Sequence, residues 1–434
     1  MPLAQISKTM RLPLHKDFAV LIWICFFPLL LSGQTDFKVM FYNLLNYPEE
    51  DAVANREQDL QLILSDYRPD LFLACELNNE SGANAILDLL QNSVSDKFAM
   101  ANYVNNTSDD LSGNENELQN QLYFDTTKFV LIDQDEVPTN IRDFNVYRLQ
   151  LNSINRDTNP IEFLVVVCHL KASSGSANAQ IRFEMVQELD NYLSTRPSDT
   201  MVLLGGDLNL YTASESAFQE LLDGSNNIVF ADPPNRIGSW NNNTNFIDVF
   251  TQSTRTQTGL GGATGGFDDR FDFILLSENM MNSAVVTYKV DSYQVYGNNG
   301  VASCYNRRIN SSDCAGDTYS FEIRNALHNF SDHLPVTLTL NSNTELLSSS
   351  DIVMPEQLQL EKTIVNEQLV IFNQLPELLS ETFTISNTLG QNVILELKLK
   401  LGATIVSTEN LTNGIYFLTL DSNPSVSRKF VVVH

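Results

Sequence analysis

The chain has 434 residues, 43% of them hydrophobic, with 26 basic and 53 acidic side chains and a formal net charge of −27. That length holds two or three domains and a sizeable core. The acidic balance excludes a broadly basic nucleic-acid-binding surface, though not a nuclease, because a metal ion can supply the local positive charge a phosphate needs.

The first 33 residues read as an export signal. Lys8, Arg11 and Lys16 form a basic start, and FAVLIWICFFPLLLSG forms the apolar segment. The segment is short for a membrane span of about 20 residues, and Thr35-Asp36 follows it instead of a basic flank. Cleavage near Gly33 would leave no stable membrane span; an uncleaved anchor is the alternative. Trp23-Ile24 ahead of Cys25 disfavour a lipoprotein.

Residues 37–43 alternate as a strand, and 52–66 carry helical periodicity with Leu60, Ile63 and Leu64 on one face. Arg68-Pro69-Asp70 ends that helix and the strand LFLACEL follows. GANAILDLLQNSV reads as a helix, QLYFDTTKFVLI and VYRLQLNSI as strands, and IEFLVVVCHL as a buried strand. A helix over 178–194, the strand MVLLGGDL and the helix ASESAFQELLDG come next. GLGGATGG, residues 259–266, lacks the Lys-Ser/Thr of a phosphate-binding loop and reads as a flexible loop. FDFILLS and HLPVTLTL close the unit. Because several strands adjoin directly, the pattern predicts mixed or antiparallel sheets.

Cys75 and Cys168 lie in apolar runs and read as buried thiols. Cys304 and Cys314 lie in the polar loop CYNRRINSSDC, where an exported chain would form a local disulfide. No second Cys or His pair has the spacing of a zinc site.

Residues 341–357 are polar, Ser-rich and aperiodic, as in a linker. Charge shifts across them, from about −24 over 34–340 to −2 over 358–434, which implies two domains. The tail reads as all-β, with short strands spaced by turn residues.

Polar residues close or interrupt the apolar runs in a fixed order. They are Asn43 in FKVMFYNLLNY, Glu76 in PDLFLACEL, His169 in FLVVVCHLKAS, Asp207 and Asn209 in MVLLGGDLNL, and Asp272 in RFDFILLS, followed by Asp332 and His333 in SDHLPV. Buried strands do not normally end this way, so the pattern suggests ends converging on one polar site. Singly, Glu76 or Asn43 reads as a loop residue, GDLN as a tight turn on Gly205-Gly206, His169 as a core histidine and Asp332-His333 as a strand cap.

Together the motifs resemble the endonuclease/exonuclease/phosphatase superfamily over residues 36 to 340. The resemblance implies an α/β four-layer sandwich, two packed mixed sheets flanked by helices, with the site at one edge. It implies that Asn43, Glu76 and Asp332 hold a divalent metal. Asp207 and Asn209 would orient the attacking water and bind the phosphate. His333 would act as base or phosphate-contacting acid with Asp272 fixing its tautomer, and His169 would be the second imidazole. Hard oxygen ligands suit Mg²⁺ first, with Mn²⁺ or Ca²⁺ also able to serve. Lys171, Arg182, Arg307 and Arg308 are candidate cations for the phosphate. One departure concerns His169: where a supporting glutamate often stands in the deoxyribonuclease-like branch, this chain has Asn120-Gln121. An amide cannot stabilise the imidazole cation by charge.

In the tail, FTISNTLGQNVI with Leu389-Gly390-Gln391, NLTNGIYFLTL with Asn413-Gly414-Ile415-Tyr416, and a terminal KFVVV resemble the type IX secretion sorting domain of Bacteroidetes bacteria. This implies that residues 358–434 engage the secretion machinery; an immunoglobulin-like binding module is the alternative. The expectation is therefore a secreted or surface-attached, monomeric, metal-dependent phosphodiesterase, an extracellular nuclease on DNA or RNA. The alternatives are a phosphatase or sphingomyelinase-like enzyme and a catalytically dead surface binding protein.

Overall fold

The computed structural model describes residues 35–108, 118–347, 358–374, 376–379, 381–421 and 423–434. The expected export signal and residues 348–357 of the expected linker lie outside the described residues. Among the described residues, no helix is long and apolar enough to cross a membrane.

The N-terminal unit begins with β1 (Thr35–Tyr47), α1 (Arg56–Tyr67), β2 (Leu71–Leu77), α2 (Glu80–Ser93), β3 (Phe98–Met100) and β4 (Gln119–Asp125). Then come β5 (Phe129–Val137), β6 (Phe144–Leu151), β7 (Glu162–His169), α3 (Ser176–Leu193), β8 (Val202–Asp207), α4 (Ser216–Leu221) and β9 (Phe230–Ala231). It ends with β10 (Asp272–Ser277), α5 (Asn279–Asn282), β11 (Val286–Tyr288), β12 (Gln294–Val295), α6 (Phe321–Phe330) and β13 (Val336–Ser342). Two mixed sheets result. One runs β11-β13-β1-β2-β4-β3 with β12 also on β13, and the other runs β5-β6-β7-β8-β10-β9.

Strand periodicity explains the layering. On β1, Phe37, Val39 and Phe41 point into one buried cluster with Leu73, Val165, Val167, Leu203 and Ile274, which is the core between the sheets. Met40 and Tyr42 point the other way, onto Leu60, Ile63 and Leu64 of α1 and Leu327 of α6. On the second sheet, Val166, Cys168 and Leu204 pack on Met185 and Leu189 of α3 and Phe218 of α4. Helix, sheet, sheet and helix thus form four layers. Gly205 and Gly206 lie inside β8 rather than in a turn. A Cβ on Gly205 would stand 2.7 Å from Leu73 Cδ2, so glycine permits the close approach of the two sheets.

Some boundaries differ from the sequence reading. The helix expected over 52–66 begins only at Arg56, after Asn55 adopts a left-handed conformation at φ 62°. Residues 343–347, expected in the linker, belong to the N-terminal unit: Leu346 bridges Ser153, and Leu347 N donates to Asn152 O. The Gly-rich 259–266 segment is pinned rather than flexible. Ser253 Oγ donates to Ala263 O, Arg255 Nη1 to the carbonyls of Leu260 and Gly261, and Ala263 N to Asp332 Oδ2. Cys304 and Cys314 form a disulfide, while Cys75 and Cys168 are buried and free.

The C-terminal unit is all-β. Its strands are β14 (Leu358–Leu360), β15 (Ile364–Val365), β16 (Gln368–Asn373), β17 (Phe383–Asn387), β18 (Asn392–Leu397), β19 (Gly402–Ser407), β20 (Gly414–Leu420) and β21 (Asn423–Val432). They form a three-stranded sheet, β14-β16-β19, and a five-stranded sheet, β15-β21-β20-β17-β18. Leu369, Ile371, Phe383, Ile385, Leu418 and Phe430 make its own separate core.

Arg270 and Asp232 form an ion pair at 2.6 Å with neither side chain exposed, and the guanidinium packs on Trp240 and Phe273. Replacing Asp232 with asparagine leaves a buried cation without its countercharge. Such a loss costs about 3–5 kcal/mol. Urea denaturation followed by Trp240 fluorescence should show that loss in the Asp232→Asn variant; a change below about 1 kcal/mol would mean that the pair is structurally idle.

Candidate active site

The register of the strands assembles the site. On the second sheet His169 of β7 lies opposite Asp207 of β8, and Asp207 lies opposite Asp272 of β10. On the first sheet Asn43 of β1 pairs with Cys75 of β2, which places Glu76 next to it. The last contributor, the 331–335 segment, enters β13 at this end. Backbone strain concentrates here: Leu45, Asn46, Glu76 and Asn209 all have φ between 47° and 58°. Non-glycine residues held in that region mark positions whose side-chain direction is over-determined by their surroundings.

Asn43 Nδ2 donates to Glu76 Oε1 at 2.9 Å and to Asp207 Oδ2 at 3.1 Å, while its Oδ1 accepts from Leu45 N at 3.0 Å. Asn43, expected as a metal ligand, therefore presents a donor to the two carboxylates and holds them together. Glu76 Oε2 accepts from Asn46 N, and Asp207 Oδ1 from Asn209 N. Asn209 Nδ2 donates to Leu170 O, so that residue braces the loop beyond β7. The two imidazoles flank the Asp207 carboxylate, with His169 Nε2 at 3.6 Å and His333 Nε2 at 3.8 Å from its Oδ2. His333 Nδ1 meets Asp272 Oδ2 at 2.7 Å.

Electrostatics separate these groups. Burial raises the Glu76 carboxyl, and nearby Asp332 raises it further. Burial likewise raises Asp207, and Asp272 and Glu76 add to the effect against His333. His169 is held well below the ordinary histidine range by burial, then by Arg142, His333 and Lys171. Burial alone would also lower His333, but Asp272, Asp332 and Asp207 outweigh it and hold that imidazole well above its usual value.

The donor set fits a hard divalent cation. Ligand atoms of Glu76, His169 and Asp207 lie within 4.8 Å of one another, as do those of Asp207, Asp272 and His333. Buried carboxylates raised by desolvation and by each other are short of positive charge, which a cation supplies. In the second group, Asp272 Oδ2 and His333 Nδ1 already satisfy each other. Glu76 and Asp207 are thus the carboxylates best placed to hold an ion. Asp332, expected among the ligands, stands outside both groups. Its Oδ2 accepts from Ala263 N at 2.7 Å and Gln252 Nε2 at 3.1 Å, while Oδ1 is buried without a partner among the described residues.

The expected phosphate cations are dispersed. Lys171 stands two residues after His169, is half-buried, and its Nζ donates to Ala172 O. Arg182 is no free cation: it is buried, with Nε and Nη2 on Glu215 Oε2 and Nη1 on the carbonyls of Lys171 and Ser173. Arg307 and Arg308 are exposed, and Arg307 Nε lies 3.3 Å from Asp313.

Several supporting residues carry no sequence signal. Arg142 is buried and donates to the carbonyls of His169 and Leu170, fixing the end of β7. Gln252 faces both Asp332 and His333. Ser331 Oγ donates to Asn43 O and accepts from His333 N, tying the segment that enters β13 to β1. Thr251 Oγ1 accepts from the amides of Phe271 and Asp272.

Residues 365–434 match the family described as secretion system C-terminal sorting domain. The C-terminal unit is a secretion sorting domain. It marks the chain as secreted or displayed at the cell surface. No curated protein matches the chain. Among solved structures, it is similar to TDP2 of D. rerio complexed with a single-strand DNA product (17% identity, TM-score 0.45, 71% of this chain and 100% of that one). It is also similar to an endonuclease/exonuclease/phosphatase family protein of Bacteroides thetaiotaomicron (14%, 0.44, 71% and 99%). A third is the mannosyl-6-phosphatase of the same species (15%, 0.43, 70% and 99%). These proteins differ in what they act on, and likeness at such identities and scores transfers no substrate to this chain.

The pinned Gly-rich loop yields a test. Gly262 has φ +62°, and a Cβ there would lie 2.4 Å from Asp332 Cγ, whereas a Cβ on Gly265 meets nothing within 4 Å. Gly262→Ala should displace the Asp332 carboxylate and lower kcat on any hydrolysed ester on the order of 10–100-fold, as misplacement near reacting groups does. Gly265→Ala should match the parent in kcat and Tm. Equal kcat for both variants would show that the loop does not position Asp332.

Proposed function

We propose that the protein is an exported, divalent-metal-dependent phosphoesterase. The observation that carries this reading is the in-register meeting of His169, Asp207 and Asp272 with Asn43 and Glu76 from the other sheet, closed by His333. A phosphate ester resists attack because it is already charged, so hydrolysis needs neutralised charge, a positioned water and a proton for the leaving oxygen. A cation held by Glu76 and Asp207 would supply the first by drawing charge from the phosphate oxygens.

The chain's own groups supply the rest. Asp207 Oδ2, set between the two imidazoles, orients the water and takes its proton as the water oxygen bonds to phosphorus. The ester P–O bond breaks in the same displacement. His333, kept protonated by Asp272, donates its Nε2 proton to the departing oxygen. His169, kept neutral, hydrogen-bonds a phosphate oxygen or the water. The nuclease expected from the sequence and a small-ester phosphatase both use this chemistry; what surrounds the mouth separates them. A dead binding protein would not need acidic and imidazole side chains gathered this closely from two sheets.

Phosphate-ester hydrolysis should require Mg²⁺ or Mn²⁺ and stop with EDTA. Glu76→Gln should raise the metal concentration at half-activity by about 10-fold or more, since an amide is a weaker ligand for a hard cation. An unchanged metal titration removes Glu76 from the ion, and hydrolysis undiminished by EDTA removes the ion.

We further propose four segments: a signal over 1–33, a catalytic domain over 34–347, a linker over 348–357 and a sorting domain over 358–434. The separate core of the last makes it dispensable for chemistry. Deleting 358–434 should leave kcat/KM unchanged while trapping the enzyme in the cell envelope, read by fractionation in a host that has the matching secretion system. Equal amounts of both chains in the medium would defeat the sorting role.

A further inference from the structure

We infer that the substrate carries a single phosphate on an otherwise uncharged group, and that polyanions, nucleic acid included, are disfavoured. This rests on the phosphoesterase reading and concerns the charge around the same site.

Between residues 35 and 347 the chain has eighteen lysines and arginines, all among the described residues. Ten stand within ion-pair distance of a carboxylate. Six more, Lys38, Arg56, Arg68, Arg142, Arg255 and Arg324, donate to backbone carbonyls. Of the remaining two, Arg308 is exposed in the disulfide loop, and Lys171, two residues after His169, donates to the carbonyl of its own neighbour Ala172.

Position matters more than number. Asn43, Glu76, His169 and Asp207 mark the strand ends that surround the site, so the segments leaving those ends form its mouth. The segment after β1 carries Glu49, Glu50 and Asp51, with Glu49 and Asp51 exposed. The segment before β10 carries half-buried Asp268 and Asp269. Against these the mouth offers Lys171, while Arg142, Arg255 and Arg270 are buried and committed to carbonyls or to Asp232. The cations the mouth can offer a phosphate are thus Lys171 and any bound cation, and the rim is negative.

A single phosphate fits that field. A polynucleotide adds one negative charge about every 3.4 Å of strand, and the flanking phosphates would have to cross the acidic rim. Proteins that take such strands line the path with lysine and arginine. Exposed ion pairs can exchange partners at little cost, but doing so releases a carboxylate beside the incoming anion. Like-charge juxtaposition of this kind selects against a ligand without touching the chemistry at the centre.

The test uses the full chain with Mg²⁺. 4-Nitrophenyl phosphate and bis(4-nitrophenyl) phosphate are compared with fructose 1,6-bisphosphate and a five-nucleotide oligothymidylate. At 10 mM salt, where charges act over about 30 Å before they are screened, the better single-phosphate ester should exceed both polyanions in kcat/KM by about 10-fold or more. Raising salt to 200 mM should narrow that gap, because screening relieves repulsion. The Glu49→Lys/Asp51→Lys double variant should raise kcat/KM on the oligonucleotide several-fold and leave the single-phosphate ester unchanged. An oligonucleotide that is cleaved at least as fast as the small esters, with rates that fall as salt rises, overturns the inference while keeping the phosphoesterase reading. No hydrolysis of any of the four overturns both.

Discussion

The site depends on burying two carboxylates, Asp207 and Asp272, and partly burying a third, Glu76, at the ends of neighbouring strands. Burial and mutual repulsion both oppose their charged forms. The structure offsets part of that opposition with a donor for each: Asn43 Nδ2 and Asn46 N on Glu76, Asn43 Nδ2 and Asn209 N on Asp207, and the His333 imidazole on Asp272. What remains uncompensated on Glu76 and Asp207 is what a divalent cation would complete. The constraint explains the strained backbone as well. Glu76 and Asn209 reach their partners only from left-handed conformations, and the packed sheets on either side hold them there.

The loops that frame the site are held by buried guanidinium groups rather than by regular structure. Arg56 donates to the carbonyls of Leu44, Leu45, Glu50 and Phe330, tying the exit of β1 to the end of α6. Arg255 does the same for His328, Asn329, Leu260 and Gly261, joining α6 to the Gly-rich loop. Irregular segments leave carbonyls without ladder partners, and an arginine satisfies several at once from one point. An acidic domain that uses its arginines inside has few left for its surface. The negative rim and the rigid loops therefore have one origin.

Much of this was legible in the sequence, and the reasons for the rest are physical. A strand that ends on Asp207 or Asp272 announces itself because buried runs do not carry carboxylates without cause. The elements themselves followed from periodicity, but their stacking into four layers did not; that came from the resemblance. Arg142 and Gln252 were invisible because a buried arginine or glutamine looks in sequence like an exposed one. Arg182 misled for the same reason: its partner Glu215 lies 33 residues on, across a strand. The Gly-rich loop was misread because glycine permits positive φ equally in mobile and in pinned backbone. Only tertiary partners, Asp332 against Gly262 and Arg255 on two carbonyls, tell the cases apart.

The same dependence on neighbours divides the two histidines. His169 and His333 stand at nearly equal distance from one oxygen of Asp207, so that carboxylate alone would treat them alike. Their other ring nitrogens differ. His333 Nδ1 rests on Asp272, whereas His169 Nδ1 is buried without a partner among the described residues. Asn120, at the position of the expected glutamate, gives its Nδ2 to Asp143 O and Asn145 Oδ1. Burial, with no carboxylate on Nδ1 and Arg142 beside the ring, holds His169 well below the ordinary histidine range. A pair of like residues pushed to opposite protonation states is what acid–base chemistry near neutral pH requires. The departure from the expected glutamate then does not weaken the site. It fits the proposed mechanism, in which His333 donates the proton and His169 binds.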